Sequence, residues 1–394
     1  MTTIDYQAEA EALRDEVIAR RRDFHQNPEL AFEEMRTAGI VAAELGKLGL
    51  EVQTGVGKTG VVAMLDGASD GPTVLIRADM DALPILEENT TDYTSQVAGK
   101  MHACGHDGHT AIALGVAKVL TKHRDSLKGR VKFVFQPAEE IAGGAKAMIT
   151  DGVLNDPRPD VSLGLHLWNS LPVGILGVGK GATMASSSIF KIIITGKGAH
   201  GAQPHQGIDP VTCAAQVITA LQTIVARNVD PEKEAVVSVT TMHAGHAHNV
   251  IPKSVELTGT LRAFDIEVRD LITQRLKDIA QGIGQAMQCE VEAEVEHLTI
   301  PVVNHAEVYD KVQPRLASIV GTDKVESAVS TMGGEDMAFL MDDIPGMFFF
   351  VGSANSEREL DYGHHHPRFD FDEDALPLGV ATLAAAAGAY LIGG

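Results

Sequence analysis

Metal-binding residue types recur in this chain beside short apolar runs, and that placement constrains the fold more than any other feature. The first cluster is His102-Ala103-Cys104-Gly105-His106-Asp107-Gly108-His109, with three histidines and one cysteine in eight residues. Gln136-Pro137-Ala138-Glu139-Glu140 follows, then Gly164-Leu165-His166, and His364-His365-His366-Pro367 closes the set. Apolar runs at 73–78, 131–135 and 161–165 precede or carry the first three clusters and read as buried strands. In open α/β sheets, ligands collect at the carboxyl ends of the strands. A thiol, several imidazoles and paired carboxylates converging there suit one or two transition metals, and so metal-assisted hydrolysis.

The chain has 394 residues, more than one hydrophobic core usually organises, so two domains are expected. A formal net charge of -21 argues against nucleic acid and anionic membranes as partners. Residues 1–24 are polar and charged, unlike a secretion signal, and no apolar run of about 18 residues suggests a membrane span. The Ala-rich stretch 375–392 reads instead as a buried terminal helix. Three cysteines, Cys104, Cys213 and Cys289, form no disulfide framework and suit a reducing, cytoplasmic setting.

Strands and helices alternate in the first half. Helices are expected at 6–24, 37–48 and 109–123, and strands at 60–65, 73–78, 131–135 and 161–165. This order implies a largely parallel sheet covered on both faces. The middle differs. Strands at 187–195, 235–243, 254–264 and 290–298, with helices at 209–226 and 267–287, spell β-α-β-β-α-β, the ferredoxin-like split motif. We read it as an insertion at 185–298 into an α/β domain made of 1–184 and 299–394. That domain resumes with helices near 305–320, 336–341 and 375–392 and a strand at 347–352.

Cys104 and His106 are two apart on a loop that can turn both inward, with Asp107 and His109 as helix-capping or ligand-orienting neighbours. Glu139 and Glu140 can divide labour, one holding a metal while the other takes a proton from water. His166 ends a strand. Spacing does not choose among the three histidines at 364–366, and Asp79 and Asp81 read equally as ligands, orienting carboxylates or turn residues. In the insertion, His200 tips a glycine-containing loop, His248-Asn249-Val250-Ile251-Pro252 forms another, and Arg262 lies in a strand. Arg262 is suited to pair with a carboxylate in bidentate fashion.

These residues carry a resemblance. Arg77-Ala78-Asp79-Met80-Asp81-Ala82-Leu83-Pro84, the 103–109 loop, the 136–140 turn, the His200 loop, His248-Asn249-Val250-Ile251-Pro252 and Gly333-Gly334-Glu335-Asp336 all take part. Together they resemble the hippurate hydrolase, N-acyl-L-amino-acid amidohydrolase and auxin-conjugate hydrolase group. That group belongs to the aminoacylase and carboxypeptidase clan of two-metal peptidases. The likeness implies a metallopeptidase domain interrupted by a lid and dimerisation domain, a homodimer, and two divalent transition-metal ions (zinc, manganese, nickel or cobalt). It implies Cys104, His106, Glu140, His166 and His365 as metal ligands and Glu139 as general base. His200 would enter a partner subunit's site, and Asn249 and Arg262 would contact the substrate carboxylate. The expected substrate is a small N-acyl amino acid. Alternatives on the same scaffold are a dipeptidase, a deacetylase of an N-acetyl-diaminopimelate type, or a metal-dependent binding protein without catalysis.

Overall fold

The structure, a computed structural model, describes residues 4–392. Residues 1–3 and 393–394, at the two ends of the expected α/β domain, lie outside the described residues. The chain divides into two units. One comprises the residues up to Gly181, Val303–Ser330 and Asp336 onward; the other comprises Ala182–Val302 and Thr331–Glu335. No sequence signal marked the short piece Thr331–Glu335 as part of the second unit.

The first unit is built on an eight-stranded sheet. Its four central strands, Lys128–Gln136, Ser69–Asp79, Val161–Pro172 and Gly346–Ala354, run parallel in that spatial order. Gly60–Asp66 and Glu51–Val56 extend one side antiparallel. Two short strands, Leu176–Gly177 and Val325–Glu326, complete the other.

Strands buried on both faces need apolar side chains pointing both ways, and the chain supplies them. Leu163, Leu165 and Leu167, with Met347, Phe349 and Val351, enter one core with Ile112 and Val116 of helix His106–Lys122 and Val380 and Ala384 of helix Ala375–Leu391. Alternate residues Gly164 and Phe348 point to the opposite face, where the side chain missing at Gly164 leaves room for Phe348 and Met337. The Ala-rich helix is buried as expected, and its small residues let it approach closely. A Cβ at Gly379 would stand 2.5 Å from Ile112.

Register sets the height of the site. Asp79 pairs with Gln136, and Gly164 pairs with Arg77, so His166 stands two residues further along, level with Asp79. Asp79 and Gln136 end their strands, and His166 stands level with them inside Val161–Pro172.

The second unit has an antiparallel four-stranded sheet in the order Ala235–Ala244, Ser254–Ala263, Ser186–Thr195, Glu290–His297. Helices Pro210–Leu221 and Ile266–Ala286 start on the capping side chains of Asp209 and Asp265. Their apolar stripes, including Val217, Leu221, Ile272 and Leu276, pack on Ile192, Ile194, Leu257 and Leu261. This is the β-α-β-β-α-β arrangement. The edge strand Glu290–His297 alternates glutamates with the packed Val291, Ala293 and Val295. A row of like charges on an exposed edge discourages further pairing there.

Several expectations shift. The helix expected over 6–24 is two, Tyr6–Glu11 and Arg14–Gln26, broken at Ala12 and Leu13, where the Leu13 amide bonds Ala10 three residues back. The strand Val161–Pro172 runs well past 165, so His166 lies inside it rather than at its end. Its pairing with Gly346–Ala354 carries it on. No helix among the described residues is long and apolar enough to cross a membrane.

Candidate metal centre

Cys104 and His106 flank Gly105, whose left-handed φ of 87° turns the loop into helix His106–Lys122. The helix therefore begins three residues earlier than the sequence suggested, and His106 is its first residue. The turn after strand Lys128–Gln136 brings Glu139 and Glu140 to the same place. His365 is tied in by its amide, which donates to the Ala103 carbonyl at 2.8 Å.

The donor atoms converge. Cys104 Sγ lies 3.6 Å from His166 Nε2. His106 Nε2 lies 3.9 Å from Glu140 Oε1 and 4.0 Å from Glu139 Oε2, and Glu140 Oε2 lies 3.3 Å from His365 Nε2. Two ligands of one ion at zinc's reach of roughly 2.0–2.3 Å stand about 3–4 Å apart, so these spacings fit shared cations. The groups Cys104/His106/His166, Cys104/Glu140/His365 and His106/Glu139/Glu140 each bring their ligand atoms within 4.8 Å.

Backbone and carboxylate partners fix the tautomers. His106 Nδ1 donates to Asp81, to its carbonyl at 2.9 Å and its carboxylate at 3.2 Å, which leaves the Nε2 lone pair aimed at the cluster. His166 Nδ1 donates to the Leu167 carbonyl at 2.6 Å with the same result. The second Asp81 oxygen accepts the Glu140 amide at 3.0 Å, so one aspartate places two members of the cluster. Asp79 lies 3.7 Å from His106 Nε2 and is held by Arg77 at 2.6 Å and His109 at 2.6 Å. His109 spends its other nitrogen accepting the Leu167 amide at 2.9 Å, so neither ring nitrogen is free for a cation.

The three-histidine run resolves by environment. His364 is stacked on Trp168, with ring centroids 4.7 Å apart, and burial pushes it down to about 3. His366 is stacked on Tyr362, and its Nδ1 accepts the Arg368 amide. His365 alone of the three faces Glu140.

His106 Nε2 and Glu140 Oε1, both in this cluster, are among the buried side-chain atoms that have no hydrogen-bond partner. Buried polar atoms are rarely left so, and these two face each other across 3.9 Å. Burial first, then the charge of Glu140, pushes the Cys104 thiol well above its ordinary range. Burial first, with Asp81 and Asp79 adding to it, lifts Glu140 to about 7. Buried like charges of this kind are relieved by cations, and the S/N/O donor set suits transition metals over magnesium or calcium.

Asp107 points away from the cluster. It accepts Arg21 Nε at 2.8 Å, His25 Nδ1 at 2.8 Å and the Gly108 amide at 2.9 Å. Arg21, fully buried, also bonds Asp370 at 2.7 Å, and so links the residue after His106 to the segment beyond His365. Burial and Arg21 work against the charge of His25, yet its bonds to Asp107 and Glu87 hold it up at about 9. Sequence reading passed over Arg21 and His25. The signal was present: with Val17 and Phe24 they fall at i, i+4, i+7 and i+8, two ionisable residues on the buried stripe of a helix.

The remaining candidates lie in the second unit. His200 and Asn249 sit side by side on a small ribbon where Ala199–His200 pairs with Val250–Ile251 and the Gly201 amide bonds the Asn249 carbonyl at 2.7 Å. Both are exposed. His200 Nδ1 accepts the Ala202 amide at 3.0 Å, which leaves Nε2 outward. Arg262 lies apart from them, lining a cavity of about 890 Å³ with Lys191, Thr258 and Thr260. It bonds the carbonyls of Leu261 and Ser188 and the Thr260 hydroxyl, and among the described residues no carboxylate partners it.

Comparison with known proteins decides the family: residues 75–389 match the model of peptidase family M20/M25/M40. The chain belongs to that family. It is 40% identical over 374 residues to an N-acetylcysteine deacetylase of Bacillus subtilis, covering 95% of this chain and 96% of the relative. It is 40% identical over 376 residues to thermostable carboxypeptidase 2 of Saccharolobus solfataricus, covering 94% of each. The YXEP protein of Bacillus subtilis, described as a dinuclear metal-binding peptidase from the M20 family, superposes with a TM-score of 0.82 at 36% identity, over 96% of this chain and 98% of that one. The M20 chain is thus a member of a metal-dependent amidohydrolase family with a candidate metal centre beside the central strands of its sheet.

Proposed function

We propose that this M20 protein hydrolyses the amide bond of N-acyl-L-amino acids, releasing a carboxylic acid and a free amino acid. The observation that carries the reading is the pair of orphaned buried atoms, His106 Nε2 and Glu140 Oε1, inside a Cys/His/Glu cluster that also contains Glu139. Cys104, His106, Glu140, His166 and His365 would hold two divalent cations, chosen from zinc, manganese, nickel and cobalt. Such ions supply Lewis-acid polarisation of a carbonyl and acidify water.

The chain's own residues do the rest. Asp81 orients His106 and Glu140, and Asp79 and His109 brace the first turn of the helix. Glu139, whose Oε1 accepts the Asp336 amide at 3.4 Å, receives the proton of the attacking water and passes it to the departing amine. His200 stabilises the developing oxyanion in the site of a partner subunit of a homodimer. Asn249 and Arg262 hold the substrate's carboxylate. The deacetylase relative supports the acyl-amino-acid substrate; the carboxypeptidase relative keeps a peptide substrate as the competing reading.

An assay of N-acyl amino acids against their C-terminal amides tests the assignment. The wild type should prefer the acids, and Arg262→Ala should cost the acids more than the amides, by roughly the tenfold or more that a charged hydrogen bond carries. Equal losses on both would remove Arg262 from carboxylate recognition. Preference for free peptides over acyl amino acids would favour the peptidase reading.

A further inference from the structure

Ala138 precedes Glu139 and adopts φ 52°, a left-handed conformation that a residue with a Cβ rarely takes. Its peptide is held at both ends. The Ala138 carbonyl accepts the amides of Gly143 at 3.2 Å and Gly144 at 3.1 Å, which closes the turn. A Cβ at Gly144 would stand 1.6 Å from the Pro137 carbonyl oxygen, so the turn has no slack on that side. The Ala138 amide donates at 2.9 Å to one oxygen of Glu34, a side chain from a distant loop with no exposed surface. That oxygen also accepts the Phe32 amide at 3.0 Å, and the other accepts the Thr59 hydroxyl at 2.5 Å. Three donors, one on its own loop and one on each of two distant segments, thus fix one buried carboxylate. Its one bond to the 136–140 turn falls on the strained residue beside Glu139.

We propose that Glu34 is a positioning residue for the general base: by binding the Ala138 amide it holds the left-handed turn that aims Glu139 at the reacting water. The proposal rests on Glu139 being the base. Strained backbone persists only where its surroundings over-determine it, and such strain concentrates at functional sites. Without the acceptor, Ala138 relaxes toward negative φ and rotates the next side chain. A small displacement of a reacting group costs turnover far more than it costs folding.

The test compares Glu34→Met, which fills the space without an acceptor, with Glu34→Gln. Glutamine offers one oxygen to both backbone amides and turns its NH₂ to the Thr59 hydroxyl. Each is made alone and with Ala138→Gly, because glycine adopts positive φ without strain. We expect Glu34→Met to lower kcat on the order of 10–100-fold, with KM and bound metal near wild type and the protein still folded at the assay temperature, although its unpaired buried amides lower the melting temperature. Glu34→Gln should retain most of the turnover, and Ala138→Gly should restore much of what Glu34→Met loses. A loss in Glu34→Met that tracks metal content or unfolding, or one that neither glutamine nor the added glycine relieves, overturns the proposal. Glu139→Gln is measured in parallel: if it stays active the base assignment is wrong, whereas an inactive Glu139→Gln beside a fully active Glu34→Met defeats only the positioning role.

Discussion

Glu139→Gln should bind its metals as the wild type does and lose turnover by about 10²–10⁴-fold, the range typical of a removed general base. Glutamine keeps the shape and still accepts the Asp336 amide, so the turn at 136–140 is preserved. It cannot take a proton from water. Metal content separates this outcome from its rival, because Glu139 Oε2 lies 4.0 Å from His106 Nε2, close enough to be mistaken for a ligand. Loss of bound metal in the variant, with activity returning on excess cation, would make Glu139 a ligand.

Mixing two inactive variants should bring back activity. His200 is exposed on a ribbon of the second unit, with Nδ1 accepting the Ala202 amide and Nε2 turned outward. If it serves a partner's site, His200→Ala and Glu139→Gln damage different chains of the same site. A heterodimer of the two then contains one site with both residues intact. Equal mixing under conditions that exchange subunits should raise activity to about a quarter of wild type, since half the dimers are mixed and one site in each is whole. Activity fixed at the level of the parents, with exchange shown by mass, would place His200 in its own chain's site or outside the chemistry.

Much of this was legible in the sequence because its signals are local. Strand runs at 131–135 and 161–165 announce a parallel sheet by being mostly apolar, Lys132 and Ser162 excepted, and the second unit's strands and helices alternate with clear caps at Asp209 and Asp265. The Cys104–His106 loop, the Glu139–Glu140 pair and His166 were singled out by their residue types beside apolar runs, and His365 by the resemblance; their candidate ligand atoms lie close together. What stayed hidden depends on distant contacts. Arg21, His25 and Glu34 act on residues 86, 82 and 104 positions away, and nothing near them in the chain states their partners. Asp107 was paired with the metal loop because it is next to His106, but its carboxylate turns to Arg21 and His25. Spacing alone left His364, His365 and His366 open; the resemblance pointed to His365, and the stacking of His364 on Trp168, which no spacing rule encodes, sets that ring apart.

The central claim is that Cys104, His106, Glu140, His166 and His365 hold two cations beside Glu139, and that this assembly cuts N-acyl amino acids. The most direct measurement strips the protein with a chelator, restores zinc, manganese, nickel or cobalt in steps, and follows bound metal and hydrolysis of N-acetyl amino acids together. The account predicts that activity vanishes on stripping, returns as filling approaches two ions per chain, and fails to return in Cys104→Ser and His106→Ala, which should fill poorly. Full hydrolysis by the stripped wild type, or wild-type filling and activity in both variants, would contradict it.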